Sequence, residues 1–232
     1  MTNLQILQIA LRRVGLNTGS STFKDSARDY LNLVTQDIAS REKWNWLFKS
    51  STFNTSNGTR TYSLASDVVA PLSFRNTTED HVILIMSTQD IDAADPDASI
   101  NGDPRWVAID GVDGSGNIEV TLYPEPDGVD TIAYRYYSSI PTFTVSNDND
   151  SITPYVAAVC QPALIHGISA LYKQEKGDDQ GALSDKQEME RVIAVAGRQN
   201  MNVQGNRTYR MRRADEGYSS KFSFTPTEGS LS

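Results

Sequence analysis

The chain has one cysteine, Cys160, and two histidines, His81 and His166, among 232 residues. A single thiol cannot close an intramolecular disulfide, and one thiol with two imidazoles is a poor basis for a zinc site. Long apolar runs are missing as well: no window approaches the roughly 20 apolar residues that a membrane-spanning helix needs. The opening MTNLQILQIALRRVG places its arginines after spaced apolar residues. A secretory signal puts charge first and an unbroken apolar run second. The expectation is a soluble chain, made in a reducing compartment, long enough to bury a core without staples.

Basic charge is scarce and unevenly placed. The formal net charge is −8, yet residues 198–232 hold six basic residues against three acidic ones, which leaves −11 for residues 1–197. An acidic body is not the footprint of a protein that grips nucleic acid, which carries a basic face on the fold itself. It suits a surface along which nucleic acid passes, or a basic tail that docks on an acidic partner.

Catalytic patterns are equally thin. GVDGSGN at 111–117 lies between two strand-like runs rather than before a helix, so it is no phosphate cradle. It begins like a calcium loop but lacks the later glycine and glutamate. NDND at 147–150 reads as a polar turn, and His166 as a core histidine on an apolar helix. Neither histidine has a serine or cysteine nucleophile motif nearby. The reading is a protein that is not an enzyme and uses no cofactor.

What is present is a clear order of elements. Thr2 or Asn3 caps a first helix with Leu4, Leu7, Leu11 and Val14 on one stripe and Gly15 at its end. A second helix spans about Lys24–Lys43, with Ala27, Tyr30, Leu31, Val34 and Ile38 inward and Arg28, Asp29, Asn32, Gln36 and Asp37 outward. Then Asn57-Gly58 predicts a two-residue β-hairpin that pairs Phe53 with Tyr62, with Trp44, Trp46 and Phe48 covering that pair. His81–Thr88, Arg105–Asp110, Ile118–Tyr123 and Thr131–Tyr137 read as further strands. Thr153-Pro154 opens a third long helix that runs to Gly177 with a kink at Pro162, and a fourth spans about Asp179–Gly197.

The fold class read from this order is α+β. Residues 1–48 and 151–197 form a four-helix bundle, 49–150 an inserted small antiparallel β domain, and 198–232 an extended C-terminal arm. The arm has no periodicity but carries Arg207, Tyr209, Arg210, Met211, Arg212, Arg213, Tyr218, Phe222 and Phe224. A purely solubilising tail has no use for such aromatics, so these residues are the candidate partner-binding site.

The succession Ser40-Arg41, Trp44, Trp46-Leu47, Phe53, Thr55, Gly58-Thr59, Tyr62, Leu64 and Asp67 resembles the head-to-tail adaptor (connector) proteins of short-tailed and related bacteriophages. GDPRWVAID, NIEVTLYPEPDG and the helical run Ile152–Tyr172 follow in that family's order, so the likeness covers about residues 1–197. The resemblance implies a virion protein at the capsid-tail junction, made in the host cytoplasm. It implies a homo-oligomeric ring, usually of twelve copies, below the portal protein. Such a ring extends the channel for double-stranded DNA and gives tail nozzle or tail fibre proteins a platform, with the C-terminal arm docking on the portal or on a neighbouring copy. Two other readings stand beside it. One is a different virion ring component, such as a head-completion or tail-tube protein. The other is a carbohydrate- or ligand-binding β module built on Trp106, Tyr134 and Tyr136.

Overall fold

The structure is a computed structural model that describes residues 1–203. Five helices and a curled seven-stranded sheet make a mixed α+β fold with two apolar cores. The arm residues from Arg207 to Phe224 lie outside the described residues.

Helix α1 (Asn3–Arg13) starts at a capping box: Gln5 N donates to Thr2 Oγ1 at 3.2 Å, and Thr2 N donates to Gln5 Oε1 at 3.0 Å. Its inward stripe is Ile6, Leu7, Ala10 and Leu11, so Leu7 and Leu11 were rightly placed while Leu4 and Val14 lie at the margin. Gly15, at φ +70°, supplies the left-handed turn that ends it. Helix α2 (Ser21–Arg41) buries Ala27, Leu31, Val34 and Ile38 as its spacing predicts. Arg28, expected to face solvent, is instead buried, because Asp148 and Asp25 both pair with it at 2.9 and 2.7 Å. Those two carboxylates supply what burial of a guanidinium requires.

Strands β1 (Phe48–Asn54), β2 (Thr61–Ser63), β3 (Val68–Asn76), β4 (His81–Ile85), β5 (Trp106–Val112), β6 (Ile118–Tyr123) and β7 (Thr131–Ser138) lie in the order β1-β7-β3-β4-β5-β6-β2. The expected hairpin is therefore not a ladder: β1 pairs with β7 and β2 with β6, at opposite ends of the order. A link of only six residues, 55–60, joins those ends, so the sheet curls until they meet. There the rings of Phe53 and Tyr62 stack at 5.0 Å between centroids. The turn itself is real: Thr59 N donates to Ser56 O at 3.1 Å, with Gly58 at φ +73°. Nor is the sheet wholly antiparallel. β4 and β5 run parallel, which requires a long crossover, and the connection between them carries the short helix α3 (Thr88–Ala94). Inside the curl, Phe74, Ile83, Val107, Leu122, Ile132 and Tyr134 form one core.

Helix α4 (Gln161–Glu175) begins eight residues later than Thr153. Residues 153–159 form turns, and Pro162 stands in the first helical turn rather than kinking a longer helix. Proline's missing N–H costs nothing there. Helix α5 (Asp179–Val203) runs past Gly197. The four long helices share the second core, in which Ile6, Leu31, Trp44, Ile152, Leu164 and Ile193 meet. α4 touches all three of the others. Cys160 is fully buried in that core, and burial pushes its thiol pKa up to about 11.

A candidate assembly surface at the helix–sheet corner

The last carbonyls of a helix have no partner within it. At the end of α2 the carbonyl of Ile38 accepts a hydrogen bond from the buried Trp44 Nε1 at 2.6 Å, and Trp46 stacks on Trp44 at 4.3 Å. The two tryptophans thus close the helix end into the helical core. They do not cover Phe53 and Tyr62, which belong to the sheet core. Phe48 instead packs edge-on against Tyr137 at 5.8 Å and stays half exposed.

The far end of α5 is tied to the same corner. Asn45 N donates to Asn200 Oδ1 at 2.8 Å, Asn45 Nδ2 donates to Asn200 O at 3.0 Å, and Asn200 Nδ2 donates to Lys43 O at 3.2 Å. Arg41 bridges α2 and α5, donating to both Glu190 oxygens at 2.6 and 2.8 Å and to Asp37 at 2.7 Å. Those partners, Glu190 first, raise its pKa further. Between the end of α2 and strands β3 and β7 lies a groove of about 700 Å³, floored by Ala39, Trp44, Leu47, Val69, Tyr137 and Ile140. Val69 is 59% exposed in it. Ser138 also lines it; that residue is only 3% exposed, and its Oγ has no hydrogen-bond partner among the described residues.

Other residues singled out by the sequence have internal duties. Thr55 is buried, its Oγ1 donating to Gly128 O at 2.9 Å and accepting from Asp130 N at 2.7 Å. Asp67 takes Lys49 at 2.8 Å and the Tyr136 hydroxyl at 2.9 Å. Burial, then Asp67, pushes Tyr136 up to about 12. In the 111–117 loop, Asp113 accepts backbone hydrogen bonds from Ser115 and Asn117; the Asn117 bond leads in lowering its carboxyl to about 2. Asp148 of NDND is occupied by Arg28. His81 donates through Nε2 to Pro104 O at 2.8 Å, the only direction a carbonyl permits. Tyr134 and Tyr136 are buried in the sheet core, whereas Trp106 packs with Tyr123 on the opposite face, so the three do not form an aromatic row.

One cluster was not anticipated. Asp185 on α5, 2% exposed at its side chain, meets Arg13 of α1 at 2.7 Å, Lys173 of α4 at 2.9 Å and His166 of α4 at 3.1 Å. Burial alone would raise the Asp185 carboxyl, but Lys173, Arg13 and His166 together hold it below the usual range. No sequence signal links these four, which come from three helices and lie up to 172 positions apart.

Among the described residues, no group of His, Cys, Asp and Glu is placed to hold a metal ion, and no helix is long and apolar enough to cross a membrane. The geometry is that of packing and pairing: two cores, a pinned corner and an open apolar groove. No curated protein matches the chain. The SU10 adaptor protein family matches it over residues 1–214, which takes in both cores and the corner. The chain belongs to the SU10 adaptor protein family, a family of structural bacteriophage proteins.

Proposed function

We propose that this protein is a head-to-tail adaptor that forms a ring, of about twelve copies, below the portal at the capsid-tail junction. The match of an adaptor family across residues 1–214 carries the reading. In it, residues 1–48 and 151–197 act as a four-helix bundle that carries the sheet of residues 49–150. The ring prolongs the DNA channel and offers the tail nozzle or fibre proteins their platform. The C-terminal segment, with Arg207, Tyr209, Arg210, Met211, Arg212, Arg213, Tyr218, Phe222 and Phe224, docks on the portal or a neighbouring copy. The acidic body supports a channel wall along which the DNA backbone slides without being held.

The test is native mass spectrometry of the chain alone and mixed with the portal protein of the same genome, with and without residues 205–232. The expected result is about twelve copies per portal ring for the full chain and far fewer for the shortened one. Binding by both would keep the adaptor role and move the anchor into the helices. No association in any mixture would overturn the reading. A second reading, a ring component assembled through its β sheet, is favoured by Val82 and Leu84, both more than half exposed on the sheet's outer face. It predicts a ring without the portal.

A further inference from the structure

The corner groove is open, apolar and unfilled by anything in residues 1–203. At about 700 Å³ it falls within the range of roughly 300–1,000 Å³ typical of sites that enclose a ligand, with room for more than one aromatic side chain. Glu42 on the rim has no ion-pair partner among the described residues.

The chain itself carries a segment of matching chemistry, and the helix that leads into it is tied to residues beside the groove. Asn200 is clasped to Lys43 and Asn45, and Lys43 and Trp44 line the groove. Val203, where the described residues end, follows three positions later. Residues 204–232 then include Tyr209, Met211, Tyr218, Phe222 and Phe224, with five basic residues against three acidic ones. Tyr209 is six residues beyond Val203, a reach of at most about 20 Å for extended chain. A segment tethered this closely is present at its own groove at an effective concentration on the order of millimolar, well above that of any free competitor in dilute solution. The groove's own rim carries Arg41 and Lys43 against Glu42, so the match with this segment is apolar rather than ionic.

We propose that in the isolated chain the groove between α2, β3 and β7 is the seat of the chain's own C-terminal segment, which occupies it through the aromatic residues between Tyr209 and Phe224. The seat is a property of the single chain and stands whether or not a ring forms. For a segment that also serves a partner, it is a holding position: the partner has to draw the aromatics out, and the groove is left open to the neighbouring surface.

The test uses the full-length chain with a photoreactive benzophenone amino acid in place of Val69, and a control with the same group at Val129, which is 72% exposed in the loop before β7. Isotopically heavy and light copies are mixed before illumination, and cross-links are mapped by mass spectrometry. The expected result is cross-linking from position 69 to residues 205–232 about tenfold or more above that from position 129. All of it should lie within single copies, heavy to heavy and light to light. A variant with Tyr209, Met211, Tyr218, Phe222 and Phe224 all changed to serine, checked for unaltered circular dichroism, should lose that excess. Mixed heavy–light products would overturn the proposal by assigning the groove to a second copy. No excess at position 69 would overturn it by leaving the groove without this occupant.

Discussion

At the scale of single residues, the stability of the helical body is concentrated in a few polar atoms that must not lose their partners. Asp185 is the clearest case. Replacing it with asparagine leaves Arg13, Lys173 and His166 around a neutral group. Breaking a fully buried pair costs about 3–5 kcal/mol. Arg13 is 43% exposed here, so Asp185→Asn should cost about 2–3 kcal/mol, read from urea unfolding at pH 7. The pH dependence has a definite sign. A carboxyl lowered in the folded state stabilises the fold above its unfolded pKa, about 3.9, and that contribution is lost as pH falls through the folded value. The advantage of the native chain over Asp185→Asn should therefore hold at pH 5 and shrink below pH 4. Trp44 is the second case. Trp44→Phe removes the donor to Ile38 O and leaves that carbonyl buried and unpaired, at a cost of about 2 kcal/mol. Trp46→Phe, which removes no such bond among the described residues, should cost about 1 kcal/mol or less in the same assay.

At the scale of elements, α2 and α4 pack tightly where Gly167 faces Val34. A Cβ on Gly167 would lie 2.7 and 2.9 Å from the two methyl carbons of Val34, which is itself buried. Alanine at 167 gains up to about 1 kcal/mol in helix propensity, but overpacking costs about 1–3 kcal/mol. Gly167→Ala should thus destabilise by about 1–2 kcal/mol, and adding Val34→Ala should recover part of the loss, which a double-mutant cycle of unfolding midpoints measures. Helix ends were legible in the sequence because caps are local: Thr2 with Gln5, and Gly15, do what their types imply. The register of the sheet was not. An inward alternation of Phe53 and Tyr62 is the same pattern whether two strands pair or the two ends of a curled sheet meet face to face. The start of α4 was masked likewise, because Ile152, Val156 and Cys160 are buried at a spacing of four even though residues 153–159 are turns. β3 carries no plain strand signature because Pro71 reads against a strand, and the irregular register at that residue is what accommodates it. The Asp185 cluster and the groove are products of tertiary packing and have no local pattern to read.

At the scale of the whole molecule, charge separates the two parts of the chain: −10 over residues 1–203 and +2 over 204–232. An acidic body gains no counterion release on meeting a duplex, so at about 150 mM salt the full chain should not retard double-stranded DNA in a gel at micromolar concentration. Retardation that weakens steeply with salt would assign the C-terminal segment a DNA-binding role. The two cores have a further consequence through Cys160. The chain's single thiol is shut inside the helical core and kept protonated at neutral pH. A thiol-specific dye added to native protein can therefore react only during excursions in which that core opens. Its uptake rate is a built-in clock for how often the helices part, and running that clock with and without assembly partners reads how firmly the body is locked in place.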